Sequence, residues 1–282
     1  LTILSIAVST MMLLGVEKIR LAARTSFINT ISGTDLVVGS RTGDVQLLLY
    51  SVFHIGDATA NVTWKTLEDI KKRKEVKWIV PIALGDSHRG YRVVGTSSEY
   101  FNRFRYRRNI PLRFSEGRKF SDLFDAVIGA DVARKLNYKI GNQIVLAHGT
   151  GPVSIGKDHG DTPFQVSGIL APTGTPVDRA VHVSMEAIEA IHVGWETGSF
   201  TDQGEKNSPE NLRKMDLSPK EVTAMYVGLK TKMSTFSLQR WINAYLHEPI
   251  TAILPGVVFG QLWSMIGSVE KTLFIVSSMV VF

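Results

Sequence analysis

The sequence predicts a mixed α/β domain carried between two apolar helical ends. Three observations predict it. From Val258 the apolar residues fall at Phe259, Leu262, Ile266, Val269 and Leu273, in steps of three and four that mark one face of a helix. At the other end Leu1 to Val16 carries no charge, and Glu17, Lys18 and Arg20 follow. Between these ends, alternating apolar runs and helical runs take turns along the chain, the pattern of an α/β domain.

The two ends are read first. After Lys271 no charge remains, and the chain closes on Leu273, Phe274, Ile275, Val276, Met279, Val280, Val281 and Phe282. A membrane span needs about 20 mainly apolar residues, and Thr272 to Phe282 supplies about half of that. The stretch from Gly256 is read as a stalk helix that enters a bilayer. Leu1 to Val16 is read as the mirror of it, the end of a first span. Val16, Ile19, Ala23, Phe27 and Ile31 continue it along one helical face. A secretory signal peptide is the rival reading of the first stretch. No basic segment precedes it, and no small-x-small cleavage site follows. A pair of buried terminal helices in a soluble protein is the alternative for both ends.

Composition bounds the middle. The 282 residues hold 32 Lys and Arg against 26 Asp and Glu, a net charge of +6. The densest basic cluster is Arg103, Arg105, Arg107, Arg108 and Arg113, with Phe104 and Tyr106 interleaved. Such a cluster suits acidic lipid headgroups or nucleic acid, but no nucleic-acid motif accompanies it, so it reads as a solvated loop. There is no cysteine, which excludes a disulfide framework and a thiolate metal site.

Element by element, Ser32-Gly33 stops the first stalk helix near Ile31. Asp35 to Val38 reads as a short strand closed by Gly39. Val45 to Phe53 is a dense apolar run, helix or strand, and His54 to Val62 a loop. Thr63 is an N-cap for a helix from Trp64 to about Lys74, with Leu67 and Ile70 inward. The basic turn Lys71 to Lys74 suits the negative end of its dipole. A strand Val76 to Ile82, a Gly85-Asp86-Ser87 turn and a strand Tyr91 to Gly95 follow. Asp125 to Ile128 is a strand, Ala130 to Leu136 a helix, and Gln143 to Ala147 a strand. Gly149 to Pro163 is a Gly-rich loop or hairpin tip. Phe164 to Leu170 is a strand, Pro172 to Pro176 a tight turn, Ala180 to Val183 a strand and Met185 to Ile191 a helix. Glu196 to Asp216 reads as a polar, mobile loop. Val222 to Leu229 is a strand, Thr235 to Leu246 amphipathic, and Ile250 to Leu254 the last strand before Pro255 opens the second stalk.

The candidate motifs are weak. Gly151-Pro152-Val153-Ser154-Ile155-Gly156-Lys157-Asp158 has the spacing of a phosphate-binding loop through the Lys. Asp158 then stands where a Ser or Thr hydroxyl would meet magnesium, and a carboxylate there repels phosphate. ATP binding by this segment is not expected. His148, Asp158, His159 and Asp161 share one loop, with His182 and His192 as further candidates. Imidazole and carboxylate are zinc ligands, but the spacing fits no compact zinc motif, and a polar loop tip collects such residues anyway. No Gly-x-Ser-x-Gly elbow is present. Thr173-Gly174-Thr175-Pro176 reads as a partner-contact loop or, more simply, a hairpin connection. Asn61-Val62-Thr63 fits a glycosylation sequon, which arises easily by chance. No catalytic, cofactor-binding or metal-ligating residue is assigned.

The order of short motifs is informative where each alone is not. Gly33-Thr34-Asp35-Leu36-Val37-Val38-Gly39 follows the first apolar run. The Trp64 helix precedes Val76 to Ile82, then Val93-Val94-Gly95-Thr96 with Tyr100-Phe101. Val127-Ile128-Gly129-Ala130 leads to Leu136 and Ile140-Gly141-Asn142-Gln143-Ile144. Phe164-Gln165-Val166-Ser167-Gly168-Ile169-Leu170 and the C-terminal apolar run complete the series. In this order the chain resembles the periplasmic core domain of MacB/FtsX-type ABC transporter permeases. The resemblance covers nearly the whole chain.

The resemblance implies an extracytoplasmic domain of two lobes, one mixed α/β and formed from both ends of the segment, the other β-rich and inserted. It implies a multi-pass permease of the cytoplasmic (inner) membrane with four spans. Residues 1–16 would end the first transmembrane helix, 17–31 form a stalk helix, 32–255 the periplasmic core domain, 256–271 the second stalk helix and 272–282 the start of the second transmembrane helix. It implies as partners a cytoplasmic ABC ATPase, a second permease subunit in a homo- or heterodimer, a periplasmic adaptor or substrate protein, and membrane lipid. No cofactor is implied for this chain, and ATP hydrolysis is expected on a separate domain or subunit. The leading function is a permease whose domain couples that hydrolysis to export, extraction or signalling. The alternative is the ligand-sensing domain of a two-span receptor, and a metal-handling permease using the His148 loop is a third reading.

Overall fold

Leu36 to Ser40 has no exposed residue, and a strand with two buried faces belongs inside a sheet covered on both sides. The structure, a computed structural model, describes residues 30–148, 163–193 and 208–267, together with Ala7, Met11, Leu14, Gly15 and Lys18. In it Leu36–Ser40 is strand β1, and the expected end at Gly39 is not observed. The strand runs through Gly39 because a side chain there would meet Leu47 and the Tyr50 hydroxyl at 2.7 and 2.6 Å. The glycine lets the overlying helix sit directly on the strand. That helix is Asp44–Phe53, which resolves the helix-or-strand ambiguity of the run.

Fifteen strands are present among the described residues. They are β1, β2 Val62–Thr63, β3 Val76–His88, β4 Tyr91–Thr96, β5 Arg105–Tyr106, β6 Ile110–Pro111, β7 Phe114–Gly117 and β8 Asp125–Ile128. Then come β9 Gln143–Ile144, β10 Ala147–His148, β11 Phe164–Leu170, β12 Ala180–Ser184, β13 Glu221–Val222, β14 Ala224–Leu229 and β15 Ile250–Ile253. Eleven of them form one sheet in the order β15-β1-β14-β3-β4-β12-β8-β11-β7, with β10 beside β3 and β9 beside β11. From β15 to β4 every pairing is antiparallel. The β4–β12 and β8–β11 pairs are parallel, so the sheet is mixed. This is the expected mixed α/β class.

Several local readings are corrected. Gly85-Asp86-Ser87 is not a turn: β3 continues to His88, and its pairing with β4 slips between Leu84 and Ser87. The bulge absorbs the glycine, and the reversal comes later, at Arg89 and Gly90, both with positive φ. Gln143 to Ala147 splits into β9 and β10, and Val222 to Leu229 into β13 and β14 around Thr223. Leu246 lies outside the Thr235–Asn243 helix. Within the basic Arg103 to Arg113 stretch β5 and β6 pair as a hairpin, and Arg103 ends the helix Glu99–Arg103, so the stretch is not an unstructured loop. Of the Glu196 to Asp216 loop, residues 196–207 lie outside the described residues. Pro209–Leu212 forms a helical turn that buries Leu212.

Alternation along the strands sorts the core into two faces. Val37, Val80, Ile82, Val94, Val127 and Tyr226 point to one side, where the Asp44–Phe53 helix and Tyr100, Phe101 and Phe104 cover them in one continuous cluster. Leu36, Val38, Met225 and Val227 point to the other, under the Trp64–Lys71 and Thr235–Asn243 helices. Farther along that second face Val93, Val181, Val183, Ile128 and Val166 form a separate cluster with the Ala130–Leu136 and Met185–His192 helices. The second face therefore carries two cores of a single sheet, one mainly from residues 36–76 and 222–252 and one from residues 93–212.

Local chemistry fixes the helices as read. Thr63 caps the Trp64–Lys71 helix, its hydroxyl accepting from the Thr66 amide. Gly129 starts the Ala130–Leu136 helix, and Asn137 ends it in the left-handed conformation. At the sheet edge, Asn243 accepts from the Ala252 amide at 2.8 Å and Gln239 donates to the Ala252 carbonyl at 3.0 Å. The outward backbone of β15 is thereby occupied at Ala252, which hinders edge-to-edge pairing there.

Residues 255–267 are helical, as are the five described residues near the N-terminus. No helix among the described residues is long and apolar enough to cross a membrane. The expected span at 272–282 lies outside the described residues, as does most of 1–16.

Candidate functional site

The features that set this domain apart are the two places where its ends enter the core. At the first, Thr30 and Ile31 are buried. The Ser32 amide donates to the Arg105 carbonyl at 2.8 Å, and the Ser32 hydroxyl accepts from the Asn109 amide at 3.1 Å. Gly33 follows with φ +71, a conformation that favours glycine, and Asn109 lies 3.0 Å from where a Cβ would stand. The β5–β6 hairpin thus clasps the entering chain. Asp35 continues the anchorage: its carboxylate accepts from the Leu229 amide at 2.7 Å.

At the second place, Pro255 follows β15 and the chain turns into a helix whose Val258 and Phe259 are buried. Phe259 meets Phe53 edge to face, ring centroids 5.4 Å apart. Ile31, Phe53, Val258 and Phe259 all belong to the continuous core on one face of the sheet. Ile31 and the Val258–Phe259 pair are therefore seated in the same packed cluster.

Beside the first root lies a cleft of about 700 Å³, lined in part by Thr30, Phe53, Ile55, Arg92, Asp131 and Arg179. One wall is the Gly174–Asp178 loop. Asp178 organises it: its carboxylate accepts from the Thr173 amide and hydroxyl, both at 2.8 Å, and from the Gly174 amide at 2.7 Å. On the opposite wall Arg92 donates to Asp57 at 2.9 Å and to the Gly56 carbonyl at 2.7 Å.

Two histidines sit near this point, and neither is charged at neutral pH. His54 ends the Asp44–Phe53 helix with φ 57. Desolvation, then the nearby charges of His182 and Arg92, push its pKa down to about 3. His182 of β12 is fully buried against Tyr100 and Phe101, ring centroids 5.1 and 5.9 Å away. Desolvation lowers it to about 4, against the opposing effect of the Val127 carbonyl 3.3 Å from Nδ1. Burial likewise raises Tyr226, whose hydroxyl donates to the Ser51 carbonyl at 2.5 Å.

Among the described residues the motifs singled out in the sequence are not brought together into a reactive site. Asp158, His159 and Asp161 lie outside the described residues, as does the Gly151 to Asp158 segment, and His148 is placed only as a residue of β10. His182 is in the core, and His192 bonds the Ile188 carbonyl of its own helix at 2.6 Å. Among the described residues, no three His, Cys, Asp or Glu side chains gather to hold a metal. Thr173 to Pro176 is not a hairpin connection, because β8 lies between β11 and β12. It is a crossing loop that carries the buried Asp178, a residue the sequence reading does not single out. A Gly-Thr-Pro turn followed by Asp is the one signal that pointed to it.

The family model described as the MacB-like periplasmic core domain matches residues 1–245. No curated protein matches the chain. Among solved structures the chain is similar to the periplasmic region of MacB from Actinobacillus actinomycetemcomitans, at 9% identity and a TM-score of 0.46, covering 83% of this chain and 94% of that one. It is also similar to the extracellular domain of the noncanonic ABC-type transporter YknZ from Gram-positive bacteria. There the identity is 14% and the TM-score 0.44, over 77% of this chain and 98% of that one. At these identities neither structure transfers a residue role.

Proposed function

The chain belongs to the MacB-like periplasmic core domain family, and from that premise we propose that it serves as a mechanical coupler in an ABC transporter permease. ATP is hydrolysed on a separate cytoplasmic ATPase domain or subunit. The apolar ends are the membrane helices of a multi-pass permease of the cytoplasmic membrane, which pairs with a second permease subunit. A periplasmic adaptor or substrate protein is the partner on the far side.

One observation carries the reading: the roots of both chain ends, at Ile31 and at Val258 and Phe259, enter a single packed core with the end of one helix, Phe53. Close-packed interiors transmit strain rather than absorb it. A tilt of either stalk therefore moves the sheet as a body. The coupler reading needs a stiff joint, and the shared packing of Ile31, Phe53, Val258 and Phe259 supports it.

The test breaks the stalk and leaves the domain alone. A Gly-Pro pair inserted after Ile266 interrupts the helix, because proline removes a backbone donor and clashes with the preceding turn. The chain has no cysteine, so Met233→Cys, an exposed position, takes a spin label selectively. In the assembled transporter, ATP binding should change the label-to-label distance between the two permeases. The insertion should abolish that change while ATP hydrolysis and the melting temperature persist. A nucleotide-dependent distance that survives the insertion sinks the coupler reading.

A further inference from the structure

We propose that the cleft at the first stalk root is a binding site for an organic carboxylate adjoining an apolar or aromatic group. Its volume of about 700 Å³ lies within the usual range of small-molecule sites, and its lining mixes apolar surface with a few fixed polar groups.

The charges decide the sign of the ligand. Two carboxylates line the cleft, and both are already engaged. Asp178 is buried and accepts from the Thr173 amide and hydroxyl and from the Gly174 amide. Asp131 is paired with Arg134 at 2.5 Å. Two guanidiniums face them. Arg92 is held in place by Asp57 and the Gly56 carbonyl, which occupy only part of its five-donor fork. Arg179 is exposed and makes no ion pair among the described residues. The rim adds Arg107, whose Nη2 would stand 3.4 Å from a Cβ on Gly174. Asp178 is spent on its own loop and Asp131 is partly paired with Arg134, while Arg92 keeps donors beyond its two partners and Arg179 is exposed, so the guanidiniums outweigh the one partly paired carboxylate. A planar guanidinium matches a carboxylate with two parallel bonds.

The apolar half of the ligand is set by Phe53 and Ile55. Ile55 leaves 55% of its surface exposed at the mouth of the cleft, beside charged groups. A ligand with only a carboxylate would leave that surface in water. One carrying a phenyl or branched aliphatic group covers it, at roughly 25 cal/mol per Å². A hydrophobic residue at the C-terminus of a peptide has this chemistry, and so does a free aromatic acid. Thr30 and Phe53 line the same space and belong to the stalk roots, so an occupied cleft presses on the joint itself.

The experiment is calorimetric titration of the full chain in lipid nanodiscs with N-acetyl-phenylalanine, its amide as the uncharged control, and a tetrapeptide ending in phenylalanine. The acid should bind saturably and about tenfold more tightly than the amide, the difference expected from charge-assisted bonds. Arg179→Glu should weaken the acid by about tenfold or more at unchanged melting temperature, and Ile55→Ser by several-fold. A tighter tetrapeptide identifies the natural ligand as a peptide end, and equal affinity identifies a small acid. Equal binding of acid and amide, an unchanged affinity in Arg179→Glu, or no saturation by about 10 mM, an affinity below any usable contact, overturns the proposal. None of these outcomes depends on nucleotide, so failure here leaves the coupler reading standing.

Discussion

The two faces of the sheet are packed to similar completeness but are organised differently. One face carries a single cluster that runs from Val37 through Val94 and Val127 to Leu170, and Ile31, Val258 and Phe259 are seated in it. The other carries two clusters, one under the Trp64–Lys71 and Thr235–Asn243 helices and one under the Ala130–Leu136 and Met185–His192 helices. The lesson concerns where force can travel. On the coupler reading, a load arriving at Ile31 or Phe259 enters the continuous face and reaches the separate cores through the shared strands. The divided face stabilises each half of the sheet; the continuous face joins the halves.

The comparison breaks first on a matched pair of truncations. Phe164 is fully buried in the middle core, edge to face with Phe124. Phe164→Ala should cost about 3–5 kcal/mol, the range for a buried phenylalanine. Phe259→Ala removes a ring at the margin of the continuous core and should cost less in denaturant unfolding. Yet Phe259→Ala should reduce the nucleotide-dependent Met233 distance change, whereas Phe164→Ala, in the molecules that remain folded, should leave it intact. If the two variants rank alike in both measurements, the faces do not differ in the way described.

His182 sharpens the comparison in the continuous face. Its folded pKa, about 4, lies below the ordinary value near 6.5, so the folded state resists protonation. A depressed histidine contributes its full stability above the unfolded value. That contribution falls as pH drops from about 6.5 toward 4, where the unfolded chain binds a proton that the folded chain does not. By pH 4 the loss is about 3 kcal/mol from this residue. His182→Leu should remove one proton's worth of the slope between pH 6.5 and 4. Among the described residues His182 Nε2 has no hydrogen-bond partner, and leucine loses only the long 3.3 Å contact of Nδ1 with the Val127 carbonyl, so the substitution should cost no more than about 1 kcal/mol at pH 7. Urea midpoints across that range check it, and an unaltered slope would show that the core is wet at this point.

Much of the fold was legible in the residues. Phe164 to Leu170, Asp125 to Ile128 and Ala130 to Leu136 were bounded as observed, because glycines, a left-handed Asn137 and an apolar run each said the same thing. The Thr63 cap was legible for the same reason. Misreadings came where a residue serves a distant neighbour. Gly39 looked like a stop and is instead the gap that admits Tyr50 and Leu47. Gly85 looked like a turn and is a bulge. The Arg103 to Arg113 hairpin was hidden because its partner in structure is the backbone of Ser32, far away in sequence. The cleft was illegible: Arg92 and Arg179 are brought to it by β4 and by the loop before β12, and local pattern does not reveal such long-range approach.

The smallest effect tests the strand that joins the two faces to the second stalk. β15 pairs on one side with β1 and runs directly into the helix that begins at Pro255. On its other side the Asn243 side chain holds the Ala252 amide. Asn243→Ala leaves that part-buried donor without its acceptor and should cost about 1 kcal/mol. Hydrogen exchange should quicken at Ala252, while Tyr226 and Val227 in the sheet interior keep their protection. Local loosening of this kind changes the link between sheet and stalk without unfolding either core. If the Met233 distance change then weakens at unchanged global stability, the joint runs through the backbone of β15 as well as through the Phe53–Phe259 contact. If it holds, ring packing alone carries the load, and the continuous face is sufficient.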